Sequence, residues 1–101
     1  MDSVIAISQM KDVIVLHPAA AGYGFMLQIN GDWGQIAKFK KLCREINERM
    51  RFDPNAPFTM LDKKSNSESL TIEFVGGRDE KEVLKASIAI SKEMKLPLTI
   101  I

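Results

Sequence analysis

The chain has 101 residues, which is the length of a single domain, and 46% of them are hydrophobic while 27% are charged. This balance is typical of a globular protein, and no apolar run approaches the roughly 20 residues of a membrane-spanning helix. The formal net charge of +1 favours neither nucleic acid nor an anionic membrane. Cys43 is the only cysteine, so no internal disulfide can form, and the N-terminus lacks a basic leader. We therefore expect one cytoplasmic domain over residues 1–101.

The N-terminal part contains two runs that are rich in β-branched residues, SVIAIS and DVIVLH. They are separated by QMK, a pattern that predicts a β-hairpin over residues 1–17. Both faces of the second run carry apolar side chains, which is typical of a strand that is covered on both sides or used in association. The segment PAAAGYG then interrupts regular structure.

A strand, FMLQIN, is followed by the clearest helix of the chain. Asp32 is a good N-cap, and Gln35 three residues later completes a capping-box pattern. The helix ends before Pro54, which cannot continue it. The apolar residues of this helix recur at steps of three and four, and they are Ile36, Phe39, Cys43, Ile46 and Met50.

The second half of the chain repeats this layout. FTMLD predicts a short strand, KKSNSES a polar loop and SLTIEFV an alternating strand. GGRDEKEVLKASIAISKEMK predicts a second helix, with Asp79 as its N-cap and Glu82 in the capping-box position. LTII is the last predicted strand. The apolar arc expected to face the core in this helix consists of Val83, Ala86, Ile90 and Met94.

Residues 24–101 thus read as β-α-β-β-α-β, the ferredoxin-like split arrangement of the α+β class. In this fold two helices cover one face of a mostly antiparallel sheet, which explains why each helix has a single apolar stripe. We expect the N-terminal hairpin of residues 1–17 to extend the sheet or to pack beside it. The two strand-to-helix bends contain glycine, which is typical of backbone with a positive φ angle.

The β-α-β-β-α-β plan and the string DWGQIAKF resemble regulatory ACT modules, in which a glycine after the first strand lies near an amino-acid site. The likeness covers eight residues and lacks the proline typical of that family's junction. It implies a ligand-sensing dimer module. The residues that would line its site are Asn30, Gly31, Asp32 and Gly34.

Trp33 on the first helical turn has two interpretations. It is either a staple folded over the end of the sheet or an anchor for a partner, since tryptophan and arginine are enriched in binding hot spots. The outer face of this helix is basic, with five cationic residues against two glutamates. Such a face is either a solvated surface or a contact for an acidic partner. The predicted partner-binding residues are Trp33, Lys40, Lys41 and Arg44.

Other chemistry finds little support in the sequence. His17 is the only histidine, so we expect no multi-histidine metal site, no cofactor and no catalytic residue. Cys43 lies in a core stripe, where we expect a raised pKa and not a nucleophile. The strands FMLQIN and SLTIEFV lack the paired aromatic residues of an RNA-binding sheet.

The leading hypothesis is a small non-enzymatic protein–protein interaction module, such as an inhibitor, an immunity-type protein or a regulatory protein. The alternatives are an ACT-like ligand-sensing dimer and a small nucleic-acid-binding protein, with nucleic acid disfavoured. A small enzyme that uses Asp32 or His17 is a further alternative. We expect a protein partner, and we regard homodimerisation through the N-terminal hairpin or a sheet edge as open.

Overall fold

The computed structural model describes residues 10–19, 24–77 and 79–101. The β-α-β-β-α-β succession predicted for residues 24–101 is present from the second strand onward. The first run of the predicted hairpin, residues 3–8, lies outside the described residues. In chain order the elements are β1 (Val13–Pro18), β2 (Phe25–Asn30), α1 (Trp33–Met50), β3 (Thr59–Ser65), β4 (Ser69–Val75), α2 (Glu80–Met94) and β5 (Leu98–Ile100).

The five strands form one sheet in the order β3-β4-β2-β1-β5. All neighbours are antiparallel except β1 and β5, which are parallel. β1 therefore lies inside the sheet, between β2 and β5, and does not extend an edge. Both faces of β1 are buried: Ile14 and Leu16 join the helix-side core, and Val13 and Val15 lie on the opposite face. A strand that is apolar on both faces fits an interior position.

Both helices pack on one face of this sheet, as predicted. Phe39 of α1 and Ile90 of α2 are 0% and 1% exposed, and they share one core cluster with the inward side chains of β1, β2, β3 and β4. Phe58 and Phe74 meet edge to face within it, with ring centroids 4.8 Å apart. Among the described residues, neither helix combines the length and the apolarity needed to cross a membrane.

The inner arc of α2 differs from the prediction at one position. Ser87 is fully buried, whereas Ala86 is only partly buried. The hydroxyl of Ser87 donates a hydrogen bond of 2.8 Å to the carbonyl oxygen of Val83 one turn earlier. This bond satisfies the buried polar group, so serine can occupy a position that its side chain alone would not favour.

The two helix starts are held in different ways. At α1 the predicted capping box forms, because Asp32 Oδ1 accepts from the Gln35 backbone N–H and Gln35 Oε1 accepts from the Asp32 N–H, each at 2.8 Å. At α2, Asp79 caps as predicted, but its carboxylate accepts from the N–H of Lys81. Glycine also has a different role at each bend: Gly76 has a φ of 80°, whereas a Cβ on Gly31 would collide with the capping side chain of Gln35.

β3 is longer than predicted, because it continues through Ser65 into the segment that we expected to be a loop. The register against β4 shifts between Asp62 and Lys64, which marks a β-bulge. Lys63 in the bulge forms an ion pair of 3.3 Å with Glu73 of β4. Charged side chains and a bulge are typical of an edge strand, since both discourage further strand pairing.

Candidate functional site

The four predicted partner-binding residues, Trp33, Lys40, Lys41 and Arg44, all lie on α1, and we refer to them as the α1 basic face. Trp33, Lys40 and Arg44 are separated by seven and four residues, so they follow one side of the helix. At a rise of 1.5 Å per residue this line is about 16 Å long. Lys41 lies on the neighbouring side of the same surface.

Trp33 projects into solvent, with 79% of its surface exposed. A staple over the end of the sheet would bury the indole, so this exposure favours the interpretation of Trp33 as an anchor. The side chain of Trp33 is not part of the hydrophobic core. The first residue of α1 in the core is Ile36. Tryptophan is highly buried on average, and an exposed one is therefore an unusual feature of the surface.

The three cations of the α1 basic face are held differently. Lys40 Nζ lies 3.3 Å from Asp62 Oδ2, so this lysine leans toward the edge strand β3. Both side chains are more than one third exposed, and such a pair contributes about 0–1 kcal/mol. Lys41 and Arg44 are exposed and form no ion pair with any described residue. They are the cations of this face that are available to an external carboxylate.

A second exposed aromatic residue, Phe52, lies two residues after the C-terminal end of α1, and it was not among the residues predicted from the sequence. Phe52 is 88% exposed, and the guanidinium carbon of Arg51 lies 5.2 Å from the centre of its ring. Arg51 also pairs with Glu48 at 3.4 Å. The available signal was a phenylalanine directly after the last helical turn and before Pro54. Phe52 and Arg51 therefore form a second exposed aromatic and arginine pair, which can be compared with Trp33 and Arg44.

The residues of the alternative ligand site lie at the C-terminal end of β2, where the neighbouring strand β1 begins. Asn30, Gly31 and Asp32 line a cavity of about 370 Å³, and Gly34 is not part of its wall. Residues 10–12 and 66–69 also line this cavity. Three separate chain segments therefore converge here, and the sequence predicted only one of them.

Hydrogen bonds fix the walls of this cavity. Gln28 Nε2 donates to Asn30 Oδ1 at 2.7 Å, and Asn30 is only 4% exposed. The Gly31 N–H donates to the carbonyl oxygen of Glu68 at 3.0 Å, which joins the β2–α1 bend to the β3–β4 turn. Within that turn, Asn66 Oδ1 accepts from the backbone N–H groups of Glu68 and Ser69. The polar lining is thus held by local bonds within each segment and by the Gly31–Glu68 bond between segments that are distant in sequence.

The residues considered for catalysis have structural contacts. The carboxylate of Asp32 is engaged in the helix cap. His17 donates from Nδ1 to the carbonyl oxygen of Pro18 at 3.1 Å, and its buried Nε2 has no hydrogen-bond partner among the described residues. Over the described ranges, no three potential metal-ligating side chains come together.

Cys43 has the environment that the sequence predicted. The residue is 3% exposed on the inner side of α1. Burial, with a smaller contribution from the negative charge of Asp62, raises the pKa of its thiol from 9.0 to about 12. The prediction of a raised pKa is confirmed, and the thiol stays protonated and unreactive in the folded protein at neutral pH.

This pKa predicts a loss of stability in alkali. Because the folded pKa of Cys43 lies above the unfolded value, its stabilising contribution is complete below pH 9 and is lost as the pH rises toward 12. Between pH 7 and pH 10.5 the loss should be about 2 kcal/mol. Denaturant unfolding at both pH values, on the wild type and on Cys43→Ala, measures it. A wild type whose decline equals that of Cys43→Ala would contradict the prediction.

Comparisons of this chain with protein-family models, with curated proteins and with solved structures find no match.

Proposed function

We propose that this protein is a small non-enzymatic interaction module that binds an acidic segment of a partner protein on the α1 basic face. The observation that carries the proposal is the 79% exposure of Trp33 on the same helical side as Arg44. An exposed aromatic residue on the same helical surface as Lys41 and Arg44, which form no ion pair with described residues, has the composition of a binding hot spot. The role of an inhibitor, an immunity-type protein or a regulatory protein fits such a module.

Charge selects the kind of partner. Lys41 and Arg44 form no ion pair with described residues and lie about 12 and 16 Å from Trp33 along α1. An acidic protein segment that also carries an apolar side chain is therefore complementary to this face. Nucleic acid is the weaker candidate, because an RNA-binding sheet stacks bases on aromatic residues. In β4 the aromatic side chain Phe74 is buried on the helix side, and Glu73 places a carboxylate on the opposite face.

We also propose that β2, α1, β3, β4, α2 and β5 are a ferredoxin-like unit into which β1 is inserted. Without β1, the strand order would be that of a split β-α-β arrangement with β5 beside β2. The insertion bears on self-association, because β1 is paired on both edges and cannot recruit a second chain by its backbone. Among the described strands, β3 and β5 are the two edges of the sheet. The bulge and the charges of β3 disfavour pairing there, so β5 is the edge that we propose for a homodimer, and sedimentation analysis tests for one. A cytoplasmic setting remains part of the proposal.

Photo-crosslinking from the helix surface tests the proposed function. A photoreactive phenylalanine analogue replaces Trp33 in one variant and Phe52 in another, and each is irradiated in native lysate. Position 52 is the control for non-specific crosslinking, because it is also an exposed aromatic residue of the same protein. The proposal expects adducts that form from position 33, are absent from position 52 and are suppressed by added salt. Identical adducts from both positions would contradict it.

A further inference from the structure

The cavity at the end of β2 is independent of the α1 basic face and has a different chemistry. Its walls come from residues 10–12, 28, 30–32 and 66–69, and its volume of about 370 Å³ lies within the range of small-molecule sites, roughly 300–1,000 Å³. Among the described residues of the wall, Met10 is the one with an apolar side chain, whereas most of the other side chains carry oxygen or nitrogen. A polar lining of this kind selects a polar ligand.

The charges of the wall are mainly negative. Asp12, Asp32 and Glu68 contribute carboxylates, and Lys11 is the one cation among the described residues of the lining. Asp32 is occupied by the helix cap, but Asp12 and Glu68 are exposed and form no ion pair with described residues. A positively charged group entering the cavity therefore meets two carboxylates that form no ion pair within the described part of the chain.

The neutral groups of the wall also favour a hydrogen-bond donor. Gln28 uses its Nε2 to bond Asn30, so Oε1 is the atom of this amide with acceptor capacity for another molecule. Ser67 and Ser69 add hydroxyl groups to the same wall. The bond between the Gly31 N–H and the Glu68 carbonyl holds the two sides at a fixed separation, so these acceptors are positioned before a ligand arrives.

We propose that this cavity binds a small organic molecule that carries a protonated amine and a second donor group, such as another amine or a hydroxyl. The ammonium group is held by Asp12 and Glu68, and the second donor by the acceptors of Gln28 and the serine hydroxyls. An organic cation fits better than a metal ion, because no described group of three potential metal ligands converges here. This inference does not rest on the proposed partner binding, which uses the opposite charge.

Titration by NMR tests the proposal with three molecules of similar length: 1,4-diaminobutane, 1,4-butanediol and succinate. Each is added at millimolar concentration, constant pH and constant ionic strength. The proposal expects saturable shifts of the backbone amides of Gly31, Ser67, Glu68 and Ser69 with the diamine. The diol should bind at least about tenfold more weakly, and the dianion should give no saturable shift at these amides.

Variants separate specific binding from general charge attraction. Asp12→Asn combined with Glu68→Gln should weaken diamine binding by about tenfold or more, because both substitutions remove charge and keep shape. Asp12 has a φ of 55°, which asparagine also tolerates, so the turn should be preserved. Glu48→Gln, on the exposed surface of α1, is the control and should bind the diamine as the wild type does. Three results overturn the proposal: no saturable shift with the diamine, equal binding of the diol, or unchanged affinity in the double variant.

Discussion

Replacement of Trp33 by alanine together with Arg44 by glutamate is expected to weaken partner binding by about 100-fold or more without changing the fold. Trp33 is 79% exposed and Arg44 is also exposed, so neither substitution removes a core contact. Circular dichroism and the unfolding midpoint should match those of the wild type. Binding is measured by titration calorimetry against the crosslinked partner once it has been produced recombinantly.

The size of the effect follows from the two side chains. An aromatic side chain buries roughly 150–250 Å² in an interface, which at about 25 cal/mol per Å² is roughly 4–6 kcal/mol before the costs of association. Alanine removes most of this contact. Glutamate at position 44 adds repulsion toward an acidic partner. One substitution therefore removes apolar contact and the other adds electrostatic repulsion, and both raise the dissociation constant.

Arg44 is a sharper choice than Lys40 for this experiment. Lys40 already pairs with Asp62, and a reversed charge at position 40 would place two carboxylates together at the edge of the sheet. Arg44 has no such partner among the described residues. On the helix, glutamate at position 44 gains a favourable neighbour in Lys40 and an unfavourable one in Glu48, so the net effect on α1 should be small.

The matched control is Phe52→Ala with Arg51→Glu. It removes an exposed aromatic residue and reverses an exposed arginine on the same protein, at the other end of α1. Partner affinity should fall far less than the roughly 100-fold of the test variant, because Arg51 and Phe52 lie about 27 Å from Trp33 along the helix, while Arg51 is about 10 Å from Arg44. If the control weakens binding as much as the test variant does, the α1 basic face is not the binding surface.

The helices could be predicted because their signals are local. The Asp32 and Gln35 pair, three residues apart, specifies a capping box, and that box forms at the predicted place. The spacing of Phe39 and Cys43 likewise specifies the buried side of α1. These features depend on contacts within a few residues, so the pattern of residue types was sufficient.

The position of β1 could not be predicted in the same way. Apolar side chains on both faces indicated a covered strand, but they do not specify which neighbours it pairs with. Insertion between β2 and β5 depends on a register in which Ile14 opposes both Ile29 and Leu98, residues that are far apart in the sequence. The bulge that lengthens β3 has the same origin, because it arises from pairing with β4.

The two candidate sites differ in the same way, because one depends on local sequence signals and the other on long-range contacts. The α1 basic face lies on one helix, and periodicity was enough to bring Trp33, Lys40 and Arg44 to one side. The cavity is built from three distant segments, so the sequence identified Asn30, Gly31 and Asp32 and missed Asp12 and Glu68. Neither carboxylate had a local signal, since Asp12 opens the predicted strand run DVIVLH and Glu68 lies in the predicted polar loop KKSNSES.

Asn47 has a structural role that depends on such long-range geometry. From α1, its Nδ2 donates to the carbonyl oxygen of Met60 at 2.8 Å, and its Oδ1 accepts from the Met60 N–H at 2.9 Å. Met60 lies in β3, the outer strand of the sheet on this side. One side-chain amide therefore satisfies both backbone groups of an edge residue, as a neighbouring strand would. This contact closes the edge at Met60 to pairing with another chain.

Asn47→Ala should lower the free energy of unfolding by about 2–3 kcal/mol. Two hydrogen bonds of about 1 kcal/mol each are lost, and two backbone groups that are partly buried beneath α1 lose their partners. Asn47→Asp keeps the acceptor and loses the donor, so its stability should lie between those of the alanine variant and the wild type. Urea unfolding followed by circular dichroism measures all three proteins.

Asn55→Ala is the matched control, because Asn55 is exposed and its side chain forms no hydrogen bond with described residues. It should change stability by less than about 0.5 kcal/mol. Uncovering the edge should also make Asn47→Ala more prone to self-association, which light scattering detects as a concentration-dependent increase in size. If Asn47→Ala is as stable as Asn55→Ala and remains the same size, the amide does not close the edge. The bulge and the charges of Lys63 and Lys64 would then be sufficient protection for β3.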